Sequence, residues 1–181
     1  MLVAGLLAFT LFNSSDAFLL LAVKNRGLSD SAMIGVYIFY NLVYALLALP
    51  IGMLADRVGL HRMLIAGLFV FAFVYLFMGF AFAVWKFAVL FAFYALYAAA
   101  TEGISKALIS NVAEKSETAT AIGFYTSFAS IFTMLASSLG GLLWFTLGPR
   151  GMFMISGVGV GVSAVYLMFV KTIPLKLSQV S

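Results

Sequence analysis

Asp16 and Glu102 are carboxylates set inside apolar stretches of this chain. A carboxyl group in a membrane is costly, so it usually faces a partner or a water-lined path. Asp16 falls about 5 Å beyond the centre of the stretch 2–23, with Asn13 one helical turn earlier on the same face. Two readings of Asp16 are open. It can be a substrate or proton group facing a central cavity, or an acid hydrogen-bonded within the bundle to Asn13, Ser15 or a neighbouring helix. Glu102 stands four residues before Lys106, a spacing that suits an intrahelical ion pair or, alternatively, a gate at one end of a path. Tyr37, Asn41 and Tyr44 follow i, i+4, i+7 spacing and give one helical face of phenols and an amide, suited either to a cavity wall or to ordinary packing. No nucleophile–base pair, carboxylate dyad or metal-ligand cluster is visible, which argues against an enzyme. The absence of cysteine excludes disulfides and thiolate chemistry.

These residues need elements to hold them, and the composition says which. Hydrophobic residues make up 65% of the chain and charged residues 9%. Soluble domains carry about 25% charge. A span of about 20 residues covers the ~30 Å hydrocarbon slab. Helices are therefore expected over about 2–23, 31–53, 62–83, 85–110, 117–146 and 150–170, followed by a polar tail, 171–181. The expected fold is an all-α polytopic membrane protein, one domain of six transmembrane helices. Small residues four apart, such as Ala95, Ala99, Gly103 and Ala107, suit close helix packing in lipid. Counting Lys and Arg by side gives Arg57, Arg62, Lys106, Lys115, Lys171 and Lys176 against Lys24, Arg26, Lys86 and Arg150. The larger group marks the cytoplasmic side and places both termini there. The net charge of +4 lies in connections rather than in a basic stripe, so it gives no sign of a nucleic-acid partner.

The stretch Gly52-Met53-Leu54-Ala55-Asp56-Arg57-Val58-Gly59-Leu60-His61-Arg62 fits the pattern G-x-x-x-D-R/K-x-G-x-R/K-R/K, with His61 at a usually basic position. It resembles the signature loop of the major facilitator superfamily, which lies between the second and third helices of each six-helix half. Gly52 allows a close helix crossing and Gly59 a tight turn. Asp56 can answer helix N–H groups and basic side chains, and Arg57 and Arg62 hold the loop to the cytoplasmic side. His61 reads as a solvated turn residue. Asn13 to Leu21, Thr101 to Ser110 and Thr120 to Tyr125 resemble the seventh, tenth and eleventh helices of such transporters.

The resemblance implies the C-terminal half of a 12-helix bundle, built from two inverted three-helix repeats and moving a small solute by alternating access. It implies a plasma-membrane location, no cofactor, and H⁺ as the coupling ion through Asp16 or Glu102. The implied partners are the bilayer and either an N-terminal six-helix half or a second copy of the chain. The alternative is a non-transporting fragment or assembly subunit.

Overall fold

The computed structural model describes residues 2–169, which contain no strand. Its helices are α1 (Leu2–Thr10), α2 (Ala17–Asn25), α3 (Asp30–Val58), α4 (Leu60–Met78), α5 (Val84–Val112) and α6 (Thr118–Phe169). Of these, α3, α4, α5 and α6 are each long and apolar enough to cross a membrane. The tail 171–181, with Lys171 and Lys176, lies outside the described residues.

The expected continuous helix over 2–23 is instead two short helices, with residues 11–16 outside regular helix. Four successive short polar residues, Asn13-Ser14-Ser15-Asp16, explain the break. Their side chains offer the backbone local alternatives to the helical ladder. The Ser15 hydroxyl accepts from the amide of Ala17 at 3.3 Å, and Ser137 Oγ accepts from the amide of Ser15 at 3.1 Å.

The connection expected at 56–62 is shorter than the charge pattern suggests. α3 continues through Asp56 and Arg57, and Gly59 alone separates it from α4. Gly59 has φ 103°, a left-handed conformation that side chains with a Cβ rarely adopt. α4 also ends earlier than the expected residue 83, at Met78.

Within α6 one residue is non-helical, Gly148, at φ 74° and ψ 174°, followed by Pro149. The arms 118–147 and 149–169 fold back on each other. A Cβ at Gly140 would lie 3.1 Å from Met152 Cε, and the rings of Trp144 and Phe153 are 5.9 Å apart.

α5 packs against both α3 and α4, α4 packs against α6, and α1 packs against α6. Small residues set the closest approach, as expected in lipid. A Cβ at Gly67 in α4 would lie 2.8 Å from Thr101 Cγ2 and 3.0 Å from Ala100 Cβ of α5. The small-residue stripe does not act along its whole length: Ala95 is buried, whereas Gly103 faces open space. Between these helices lies an aromatic core. Phe71 stacks on Tyr75 at 4.0 Å, Tyr97 meets Phe71 at 4.8 Å, and Tyr94 lies 5.2 Å from Tyr97 and 5.4 Å from Tyr40.

Candidate functional site

The break at 11–16 is the point on which α4, α5 and α6 converge. Ser14 is buried, its Oγ 3.3 Å from the Tyr75 hydroxyl of α4. The Tyr94 hydroxyl of α5 donates to Asp16 Oδ1 at 2.6 Å. The arm 118–147 of α6 supplies Ser137 to the amide of Ser15. Asp16 also occupies the N-cap position of α2, where exposed helix N–H groups favour a negative charge. Its side chain caps no helix amide, and its carboxylate turns to Tyr94 instead.

Two cavities flank the break. One, of about 540 Å³, is bordered by Asn13, Ser15 and Asp16 together with Tyr37 of α3 and Thr133 of α6. The other, of about 480 Å³, is bordered by Asn13, Tyr97, Glu102, Lys106, Tyr125 and Thr133. Asn13 and Thr133 border both.

Asn13, Asp16 and Tyr37 therefore meet at one cavity, and Glu102 and Lys106 at the other. Because the chain is non-helical at 11–16, Asn13 and Asp16 do not sit one turn apart on a helix face as expected, yet both reach the same space. Asn41 is exposed and satisfies itself locally, its Nδ2 donating to the Tyr37 carbonyl at 2.8 Å. It borders neither cavity. Tyr44 reaches across to α5, where its hydroxyl donates to Glu102 Oε2 at 2.9 Å. Glu102 makes no ion pair with Lys106. Among the described residues the ion pair within 4.0 Å is Lys24 with Asp30, at 3.1 Å. The residues missed by sequence reasoning are Ser14, Tyr75, Tyr94, Tyr97 and Thr133. The spacing of Tyr94, Tyr97 and Thr101 at i, i+3, i+7 along an apolar helix is the signal that marks a second polar face.

The Major Facilitator Superfamily profile matches residues 1–180. The chain belongs to the Major Facilitator Superfamily. It is 31% identical over 170 residues to an uncharacterized MFS-type transporter of Methanocaldococcus jannaschii, covering 90% of this chain and 42% of that protein. The chain thus spans less than half the length of the curated relative it matches. No solved structure matches it. Family membership and the apolar helices together make it a multi-pass membrane protein of a transport family.

The residues that resemble the signature loop lie at the α3–α4 junction. Asp56, Arg57, Gly59 and Arg62 are exposed there, and a Cβ at Gly52 would meet no atom within 4 Å. His61 differs from its expected solvated state. It is half-buried, with Nε2 3.0 Å from the Leu167 carbonyl of α6 and Nδ1 buried without a partner among the described residues. The cause is the brevity of the junction: with Gly59 as the only break, His61 already lies in the first turn of α4 and faces the end of α6.

Proposed function

We propose that this chain is the C-terminal half of a secondary active transporter that moves a small solute by alternating access, with H⁺ as the coupling ion. The observation that carries the reading is the break at 11–16, which falls midway along the segment 2–25. Irregular backbone at membrane depth is tolerated only where it is buried in protein or lines a water-filled cavity. Two cavities border this break, and each falls within the ~300–1,000 Å³ range of small-ligand pockets.

In this mechanism Asp16 and Glu102 are the candidate proton carriers. Each is held by one tyrosine hydroxyl, Tyr94 for Asp16 and Tyr44 for Glu102. A carboxylate can only accept from such a hydroxyl, whereas a protonated carboxyl can also donate. Protonation therefore changes what each site can offer a solute. Asn13, Tyr37 and Lys106 supply the remaining polar contacts of the path. Tyr44 joins the path through its bond to Glu102, and Asn41 braces α3 beside Tyr37 through the Tyr37 carbonyl.

Six membrane-crossing segments in two inverted three-helix units, with both termini cytoplasmic in the plasma membrane, form the half. The other half is an N-terminal six-helix unit or a second copy. Gly52, Asp56, Arg57, Gly59 and Arg62, exposed or unobstructed on this chain, brace that partner as it rocks. The length of the M. jannaschii relative supports the need for a partner.

Reconstitution tests the reading. The purified chain goes into liposomes alone and with a co-expressed N-terminal half, and uptake of a solute panel is followed under an imposed pH gradient. Uptake is expected with the partner and is abolished by Asp16→Asn at unchanged expression. No uptake in any arrangement overturns the reading in favour of a non-transporting assembly subunit.

A further inference from the structure

Two arginines at one end of the bundle share a single oxygen and lack an acid. Arg26 follows the last turn of α2, and its Nη2 donates to the Gly79 carbonyl at 2.8 Å. Arg150 lies in the second arm of α6, and its Nε donates to the same carbonyl at 3.3 Å. Because both bonds end on one oxygen, the two nitrogens lie no farther apart than those lengths laid end to end. Both guanidinium carbons also lie over the Phe82 ring, at 4.1 Å for Arg26 and 5.8 Å for Arg150.

Gly79 is what allows this seat. A Cβ there would come within 3.1 Å of the Arg150 Cα, which is backbone and cannot swing aside.

A carbonyl dipole and an aromatic ring ease the repulsion between two neighbouring cations but do not neutralise it. All six acidic residues of the sequence fall among the described residues, and none lies within 4.0 Å of either arginine. The nearby Lys24 is already matched by Asp30. Each guanidinium has five N–H donors in a planar fork, a shape that fits phosphate oxygens bidentately. Around the pair, Phe80, Phe82 and Trp85 are 46%, 53% and 65% exposed, an apolar rim beside a cationic seat. Trp85, with its amphipathic indole, belongs at the headgroup level of a bilayer, and Phe80 and Phe82 add apolar surface beside it.

We propose that Arg26 and Arg150, clamped on the Gly79 carbonyl, form a phosphate-binding site whose ligand is the headgroup phosphodiester of an anionic phospholipid. The acyl chains lie along Phe80 and Phe82. Free inorganic phosphate offers the same chemistry without the chains.

Native mass spectrometry of the full chain in a neutral detergent tests the site. Phosphatidylglycerol is titrated against a neutral galactolipid with matched acyl chains. The unaltered chain is expected to retain phosphatidylglycerol about tenfold better, the affinity equivalent of one charge-assisted hydrogen bond. Arg26→Gln with Arg150→Gln should erase that preference, while Lys115→Gln, which removes a like charge from the α5–α6 connection, should keep it. Arg26→Lys with Arg150→Lys should lower it, because lysine lacks the fork. Displacement of the lipid by millimolar inorganic phosphate makes a soluble anion the natural ligand and overturns the lipid assignment, whereas persistence supports it. Equal retention of the two lipids by the unaltered chain, or an undiminished preference in the glutamine double variant, overturns the site. If that variant does not fold, amide exchange at 79–83 of the unaltered chain decides. Slowing by phosphatidylglycerol but not by the galactolipid supports the site, and no selective slowing overturns it.

Discussion

The Tyr94 hydroxyl lies 2.6 Å from Asp16 Oδ1, joining residues 78 positions apart in the chain. This bond ties the broken segment to α5 and leaves Asp16 half-buried at the edge of a cavity. A neutral donor on a charged acceptor makes a strong hydrogen bond, and its loss leaves the carboxylate with one partner fewer.

Tyr94→Phe removes only the donor. It is expected to lower stability by about 1–3 kcal/mol. Tyr40→Phe, whose hydroxyl has no hydrogen bond among the described residues, removes no partner and should cost clearly less. Unfolding of the detergent-solubilised chain by titrated denaturing detergent measures both. Equal losses for the two variants would remove the special standing of the Tyr94–Asp16 bond.

The α4–α5 crossing predicts a directional pair of substitutions. Gly67→Ala should destabilise by about 1–3 kcal/mol, because the added methyl meets Thr101 Cγ2 and Ala100 Cβ. Thr101→Ser deletes the Cγ2 methyl, so Gly67→Ala with Thr101→Ser should recover part of the loss. A double-mutant cycle on thermal melting reads the coupling.

Gly59 and Gly52, seven residues apart at the α3–α4 junction, should behave in opposite ways. Gly59→Ala is strained by its φ of 103° although the space around it is open, and should cost about 1–3 kcal/mol. Gly52 lies within helix α3 with open space about it, so Gly52→Ala should leave this chain's melting unchanged or raise it slightly. If Gly52 crosses a partner half, the same substitution should reduce uptake only in the assembled transporter.

Much of the helical content is legible in the residues, because long charge-free runs bounded by Lys, Arg, Asp and Gly have few other solutions. Gly59 and the Gly148-Pro149 break are legible too, since glycine reaches positive φ without cost and proline cannot continue the helical hydrogen-bond ladder. The break at 11–16 is less so. The cluster Asn13-Ser14-Ser15-Asp16 reads readily as chemistry, and its power to compete for backbone hydrogen bonds emerges only once Ser137 and Tyr75 stand nearby to satisfy it. Glu102 shows the limit of local spacing. Its neighbour Lys106 is the obvious partner, yet Tyr44, 58 positions away, takes the carboxylate. Contacts at such separation leave no periodic trace in a single chain.

Exposed charge pairs should matter little here. Lys24 and Asp30 are 3.1 Å apart, with side chains 59% and 67% exposed. Lys24→Met is therefore expected to change stability by less than about 1 kcal/mol. Melting at low and high salt checks this, and a large salt-sensitive loss would contradict it.

Solvent access at the helix break distinguishes a water-lined path from packed protein, and the absence of native cysteine makes the chain its own background. Ala17→Cys borders the cavity beside Asp16, whereas Leu46→Cys would sit on the outer face of α3, where the leucine is 67% exposed. In membranes, a small water-soluble thiol reagent should modify Cys at 17 rapidly and Cys at 46 scarcely at all. Equal protection of both positions would contradict the account, because the break would then lie in lipid or packed protein rather than on a water-lined path.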